Sequence, residues 1–177
     1  MTRSALLVID VQVDVAPSSP VRGEVIATIN SLIGRARAED VPVIFVRHSD
    51  EDLPLDSPGW QFDPALDRQG EPVVEKNYRD AFLATNLDDL LRSADVHRLV
   101  ITGIQSDFCV QGTANSALPR GYDIALVADG HTTEDAQLAD GTSLQASQVS
   151  AWVNRQFSSL SHPGRTVEVL AAAEVTF

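Results

Sequence analysis

Ser4-Ala5-Leu6-Leu7-Val8-Ile9-Asp10 sets the reading of the whole chain: an apolar run unbroken from Ala5 to Ile9 that closes on an acid. A strand with one face in water alternates apolar and polar residues, whereas a strand covered on both faces does not. The segment therefore predicts a central strand of a parallel sheet. It is too short for the core of a signal peptide, although Arg3 precedes it, and too short to span a membrane.

Outward from this strand the pattern repeats. Glu24–Ala38 carries Val25, Ile26, Ile29, Leu32, Ile33 and Ala36 at helical spacing. Val43–Arg47 reads as a second strand and Val73-Val74, before Lys76, as a short third. Thr85 or Asn86 can cap a helix over Leu87–Ser93, and Arg98–Thr102 is another apolar strand, closing at Gly103. A helix is expected from Cys109 to Arg120, stopped by Gly121 in a left-handed cap. Ile124–Ala128 is a strand, Leu144–Leu160 a helix and Thr166–Leu170 the last strand. Strands alternating with helices at these lengths predict a single α/β domain over residues 1–177, a doubly wound, mostly parallel sheet with helices on both faces. Ligands of such sheets sit beyond the C-terminal strand ends, which directs attention to Asp10, His48, Lys76, Gly103–Cys109 and Asp129.

Composition narrows the classes. With 25 acidic and 13 basic residues the formal charge is −12, which argues against a nucleic-acid partner. No apolar run is long enough for a membrane span. The single cysteine cannot close an internal disulfide, so Cys109 is a buried structural thiol, a reactive thiol or an intermolecular link, and a cytoplasmic protein is expected.

One connection is unusually long. Ser49–Glu71 holds Pro54, Pro58, Gly59, Trp60, Phe62 and Pro64, and reads as an ordered lid or pocket wall. Its acids, Asp50, Glu51, Asp52, Asp56, Asp63 and Asp67, read as a solvated face; any that point inward would favour a cationic substrate.

Cys109 follows a strand and opens the expected helix, where the macrodipole lowers a thiol pKa. Lys76 at a strand end is ordinarily solvated, but near a thiol it would stabilise the thiolate. Asp10 is a turn residue or, beside these two, a proton shuttle. His48 lies at a strand end, and His97, His131 and His162 lie in polar stretches that read as exposed.

Taken together, Asp10-x-Gln12, then Lys76 with Phe82, Thr85 and Leu87, then Gly103-Ile104-Gln105-Ser106-Asp107-Phe108-Cys109-Val110 with Thr113, Ala117, Gly121-Tyr122 and Asp129, resemble the isochorismatase-like cysteine hydrolase superfamily. That superfamily includes nicotinamidase, N-carbamoylsarcosine amidase and streptothricin hydrolase. The resemblance runs from about Leu6 to Leu160. It implies Cys109 as nucleophile, Asp10 as acid and base, Lys76 beside the thiolate, and an oxyanion held by the backbone N–H groups of Gln105 and Cys109, with a cis peptide between Ile104 and Gln105. The candidate substrate contacts are Gln12, Trp60, Tyr78 and Gln105; Phe82 reads as core.

Nicotinamidases carry an Asp-x-His…His metal site after the second strand. Here the stretch is Arg47-His48-Ser49-Asp50-Glu51-Asp52, with no second histidine before His97, so no metal and no cofactor are expected. Relatives that cleave vinyl ethers can dispense with the cysteine; keeping Cys109 points to C–N cleavage in a small amide, ureide or lactam. The alternatives are ether hydrolysis, a non-catalytic binding protein and a redox thiol lacking a resolving cysteine. Relatives usually form dimers or tetramers, and Trp152, Val153 and Phe157 are the candidate contact residues.

Overall fold

The computed structural model describes residues 3–177. Strand β1 (Ser4–Ile9) leads to helix α1 (Arg22–Ala38), β2 (Val43–His48), β3 (Val73–Lys76), α2 (Leu87–Ser93) and β4 (Arg98–Ile104). A π-helical turn, Ser106–Val110, runs into α3 (Gln111–Ala117) and a 3-10 turn. Then come β5 (Asp123–Thr132), the short hairpin β6 (Ala136–Gln137) and β7 (Ser143–Leu144), α4 (Ala146–Ser158) and β8 (Val167–Leu170).

The six long strands form one sheet in the order β3-β2-β1-β4-β5-β8, every adjacent pair parallel. Strand order therefore reverses between β1 and β4, where parallel sheets open a crevice for ligands. The apolar run of β1 is buried along its whole length, because its side chains enter two cores in alternation. Ala5, Leu7 and Ile9 pack with α2 and α3, while Leu6 and Val8 pack with α1. Phe82 belongs to the first core.

Boundaries shift modestly from the sequence reading, but two differences matter. Cys109 does not open a helix: it sits in the π-helical turn, and α3 starts two residues later. Gly121 does take the left-handed cap (φ 97°) after the 3-10 turn Leu118–Arg120. Strand β5 runs on through His131 and Thr132, so His131 is buried in the sheet rather than exposed. Among the proposed contact residues of α4, Val153 and Phe157 are core and only Trp152 faces outward. Asp129 accepts from the Ala172 N–H (2.7 Å) and does not reach the crevice.

The long loop after β2 is fastened to α1 by its own acids. Asp63 pairs with Arg22 (3.0 Å), and Asp67 (2.7 Å) and Glu71 both pair with Arg37. Asp63 and Asp67 thus have cationic partners on the scaffold, while Glu51, Asp52 and Asp56 are exposed, as expected of a solvated face.

Gly103 fixes the spacing of β1 and β4 at the crevice. It pairs with Ile9, has φ 129°, and a Cβ there would fall 2.1 Å from the Ile9 carbonyl oxygen. Backbone cannot yield as a flexible side chain does. Gly103→Ala is expected to cost about 2–3 kcal/mol, read as a lower urea midpoint, with loss of the strand spacing on which the neighbouring site depends.

Candidate active site

Three strand ends converge on the crevice. Asp10 directly follows β1 with φ 50°, a left-handed conformation that aspartate tolerates better than most residues. Lys76 closes β3, and Cys109 lies just beyond β4. Lys76 Nζ stands 2.6 Å from Asp10 Oδ2, donates to Cys109 Sγ at 3.3 Å and is 3.2 Å from His48 Nδ1. An ammonium has three hydrogens, and these three partners account for them. Because the ammonium can only donate, His48 Nδ1 accepts, and its Nε2–H is left to donate to Asp50 Oδ2 (2.8 Å). A chain Asp50–His48–Lys76 thus holds the amine from behind while its other hydrogens face the carboxylate and the thiol. His48, a strand-end residue that the sequence placed within reach of a substrate, lines the cavity and also contacts Lys76 from behind.

Burial governs the ionisation of this cluster. It raises the Asp10 carboxyl, with the Lys76 charge pulling the other way without prevailing. Burial also acts to lower Lys76, but the charges of Asp10 and Cys109 overcome it, so the amine stays protonated. For Cys109, burial and then the Asp10 charge push the thiol up to about 12, against the opposing pull of Lys76. The low-pKa thiolate expected from a helix N-terminus is therefore not the resting form: the sulfur keeps its proton while Asp10 and Lys76 form the ion pair. Asp10 Oδ1 is fully buried and has no hydrogen-bond partner. It is the basic oxygen left free in the cluster.

The loop bearing the thiol is fixed from below. The Ile104–Gln105 peptide is cis, and the Gln105 carbonyl accepts from the N–H groups of Phe108 (3.3 Å) and Val110 (3.1 Å). Ser106 Oγ, buried, lies 2.7 Å from His131 Nδ1 and 2.9 Å from Ser150 Oγ; His131 Nε2 lies 2.9 Å from Asn154 Oδ1, whose amide nitrogen donates to the Ala128 carbonyl (3.1 Å). Nε2–H must donate to the amide oxygen, so Nδ1 accepts from the Ser106 hydroxyl. A serine, a histidine and an asparagine in sequence suggest a catalytic group, but here they are sealed under the turn and anchor it to β5 and α4.

Asp10, His48, Cys109, Gln105 and Tyr78 line a cavity of about 750 Å³, a volume suited to a small molecule. Two expected substrate contacts do not. Gln12 is buried, donating to the carbonyls of His48 and Trp60 (2.8 Å each) and accepting from the His48 N–H (2.7 Å), so it ties β1 to β2 and the loop. Trp60 lies beneath Arg47, whose guanidinium is 3.3 Å from its ring centroid, and packs outside the cavity. Aromatic content in a loop gave no direction; the cation stack decided it. The reading missed Asp14, Arg79, Phe108 and Glu134, all of which line the cavity. Among the described residues, no group of three or more His, Cys, Asp and Glu is arranged to hold a metal ion.

His131 supplies a pH test of the buried anchor. Burial holds its pKa below the ordinary 6.5, so the unfolded chain takes up the proton first as pH falls. The contribution of neutral His131 is present above about pH 6.5 and is lost as pH drops toward the depressed native value. His131→Gln is expected to cost about 1–3 kcal/mol at neutral pH, with the gap to the parent narrowing at acid pH in urea titrations.

The comparisons with known proteins agree with this geometry. Residues 4–155 match the model of the isochorismatase domain family. The chain is 37% identical over 146 residues to a streptothricin hydrolase of Streptomyces noursei (78% of this chain, 58% of that protein). It is 31% identical over 127 residues to an N-carbamoylsarcosine amidase of an Arthrobacter species (59% and 48%). It thus spans about half the length of these curated relatives. An isochorismatase structure from Pseudomonas putida KT2440 superposes with a TM-score of 0.86 at 27% identity, covering 98% of this chain and 90% of that one. With its parallel six-stranded sheet and the motif residues gathered at the switch point, the chain belongs to the isochorismatase domain family.

Proposed function

We propose that this protein is a cysteine amidohydrolase that cleaves a C–N bond in a small amide, ureide or lactam through a Cys109 thioester. The observation that carries the reading is a thiol held 3.3 Å from a buried ammonium that is itself paired with a carboxylate having one free oxygen. Relatives named as amidase and streptothricin hydrolase support it.

In this mechanism Asp10 Oδ1 takes the Cys109 proton as the sulfur attacks the carbonyl carbon. The ion pair passes from Asp10–Lys76 to thiolate–Lys76, so the buried cluster keeps the same net charge throughout. That matters because creating a charge in a buried site is costly, while moving one between partners of a fixed ammonium is not. The carbonyl oxygen, now an oxyanion, is held by the backbone N–H groups of Gln105 and Cys109. Neutral Asp10 then protonates the departing nitrogen, the C–N bond breaks, and a thioester remains on Cys109. Water, deprotonated by Asp10, attacks the thioester; the acid leaves and the thiol is restored. A cytoplasmic homo-oligomer belongs to the same proposal, and light scattering tests the association.

Cys109→Ala and Asp10→Asn are each expected to lower kcat/KM by about 10³-fold or more on an amide that the parent enzyme turns over. Hydrolysis of a vinyl ether that survives Cys109→Ala but is lost in Asp10→Asn would instead indicate ether-type hydrolysis without a thioester. Mass spectrometry of a quenched reaction should find the acyl group on Cys109.

A second experiment separates the two effects of Asp10. Its charge helps to raise the thiol pKa, so Asp10→Asn should lower that pKa and speed alkylation of Cys109 by iodoacetamide at neutral pH, even as it stops turnover. Slower alkylation in Asp10→Asn would contradict the assignment of Asp10 as the group that keeps the thiol protonated.

A further inference from the structure

The reaction proposed above uses two hydrogens of the Lys76 ammonium, those that face Asp10 and Cys109. The third goes to His48 Nδ1 at 3.2 Å, and no step of that reaction needs it. The Lys76 side chain is 0% exposed, so its protein partners set the rotation of the ammonium about its last C–N bond. Asp10 and Cys109 can each carry a negative charge. His48 is the neutral acceptor, which takes a hydrogen without adding a second anion to a buried site where one ammonium balances one anion.

His48 is itself held at every polar atom. Both of its backbone groups bond to one buried side chain: Gln12 Oε1 accepts from the His48 N–H (2.7 Å), and Gln12 Nε2 donates to the His48 carbonyl (2.8 Å). Its ring donates from Nε2 to Asp50 Oδ2 (2.8 Å), which leaves Nδ1 as the acceptor. Asp50 is fixed in turn, because its Oδ1 accepts from the N–H groups of Asp52 (3.0 Å) and Leu53 (2.8 Å). Parallel register sets His48 opposite Lys76, and the Ser49 N–H donates to the Lys76 carbonyl (3.0 Å). An acceptor locked in backbone, ring plane and tautomer is equipped to orient the group that donates to it. With that acceptor gone, a buried N–H is left unpaired, and the ammonium turns toward the carboxylate, the stronger acceptor, at the expense of the sulfur.

We propose that His48 is a positioning residue: by accepting the third Lys76 hydrogen at Nδ1 it fixes the rotation of the ammonium, so that one hydrogen points at Cys109 Sγ and stays there when the sulfur becomes the anion. The consequence for turnover rests on the amidohydrolase reading above; the hold on Lys76 does not. His48 also lines the cavity. A side chain that only touched substrate there would act through KM, whereas one that orients Lys76 toward the sulfur acts on kcat.

Two substitutions of similar size separate the acceptor from the ring. The side-chain oxygen of asparagine lies where imidazole Nδ1 does, one bond beyond Cγ, while leucine places a methyl group there; neither replaces Nε2. Both are made in the full-length chain. They are read by alkylation of Cys109 with iodoacetamide at neutral pH, which needs no turnover, and by hydrolysis of whichever of hexanamide, hexylurea and caprolactam the unaltered enzyme turns over. His48→Leu is expected to slow alkylation about tenfold, because a thiolate that loses a charged donor forms less readily. It should also lower kcat about 10- to 100-fold with KM within about twofold of the parent. His48→Asn should bring both rates to within about threefold of the parent. Unchanged alkylation in His48→Leu, a loss confined to KM, or a His48→Asn as impaired as His48→Leu would overturn the proposal. If His48→Leu does not fold, His48→Gln takes its place, since its amide sits at the Nε2 position, and the same order is required. Should alkylation follow that order while the unaltered enzyme hydrolyses none of the three probes and forms no acyl adduct, the positioning role stands and the amidohydrolase reading is the one that fails.

Discussion

The Lys76 ammonium is the interaction on which the site depends. A cation this deeply buried is tolerated only when its charge is matched and its hydrogens are used. Here the match is Asp10 at 2.6 Å, and the other two hydrogens go to Cys109 and His48. Those partners come from the ends of β1 and β2 and from the turn after β4, so one side chain at the end of β3 requires four strand ends to be in register. Parallel pairing supplies that register: Ile9 opposite Gly103 and Val46, and His48 opposite Lys76.

The same arrangement explains why the thiol and the carboxyl are both harder to ionise than usual. Burial disfavours a second negative charge next to the first, and one ammonium balances only one anion. Carboxylate and thiol therefore compete for a single counter-charge, and a proton passing between them shifts the anion from oxygen to sulfur without altering the total. In the proposed reaction the thiol would stay masked until a carbonyl is present to receive it.

Asp10, Lys76 and Cys109 are legible as a set through their placement near strand ends, where a doubly wound sheet gathers ligands, together with their order within motifs that resemble the isochorismatase-like family. Singly they were ordinary residues. The errors have equally physical origins. Cys109 was assigned to a helix N-terminus because the segment after it has helical composition, but the backbone reaches α3 through a π-helical turn. The polar stretch around His131 suggests exposure, yet β5 continues through it and Ser106 and Asn154 satisfy its ring. Residue type alone points Trp60 to the pocket, whereas Arg47 stacks over it outside the cavity.

What the sequence determined by itself was the alternation of buried strands with amphipathic helices and the order of three motifs, because apolar periodicity and chain order are local properties. Only the tertiary structure decided which side chains meet. The convergence of His48, Asp10 and Cys109 on one amine and the burial around the thiol both arise from contacts between residues distant in sequence. Their energies depend on burial and separation, which a linear string of residues does not contain.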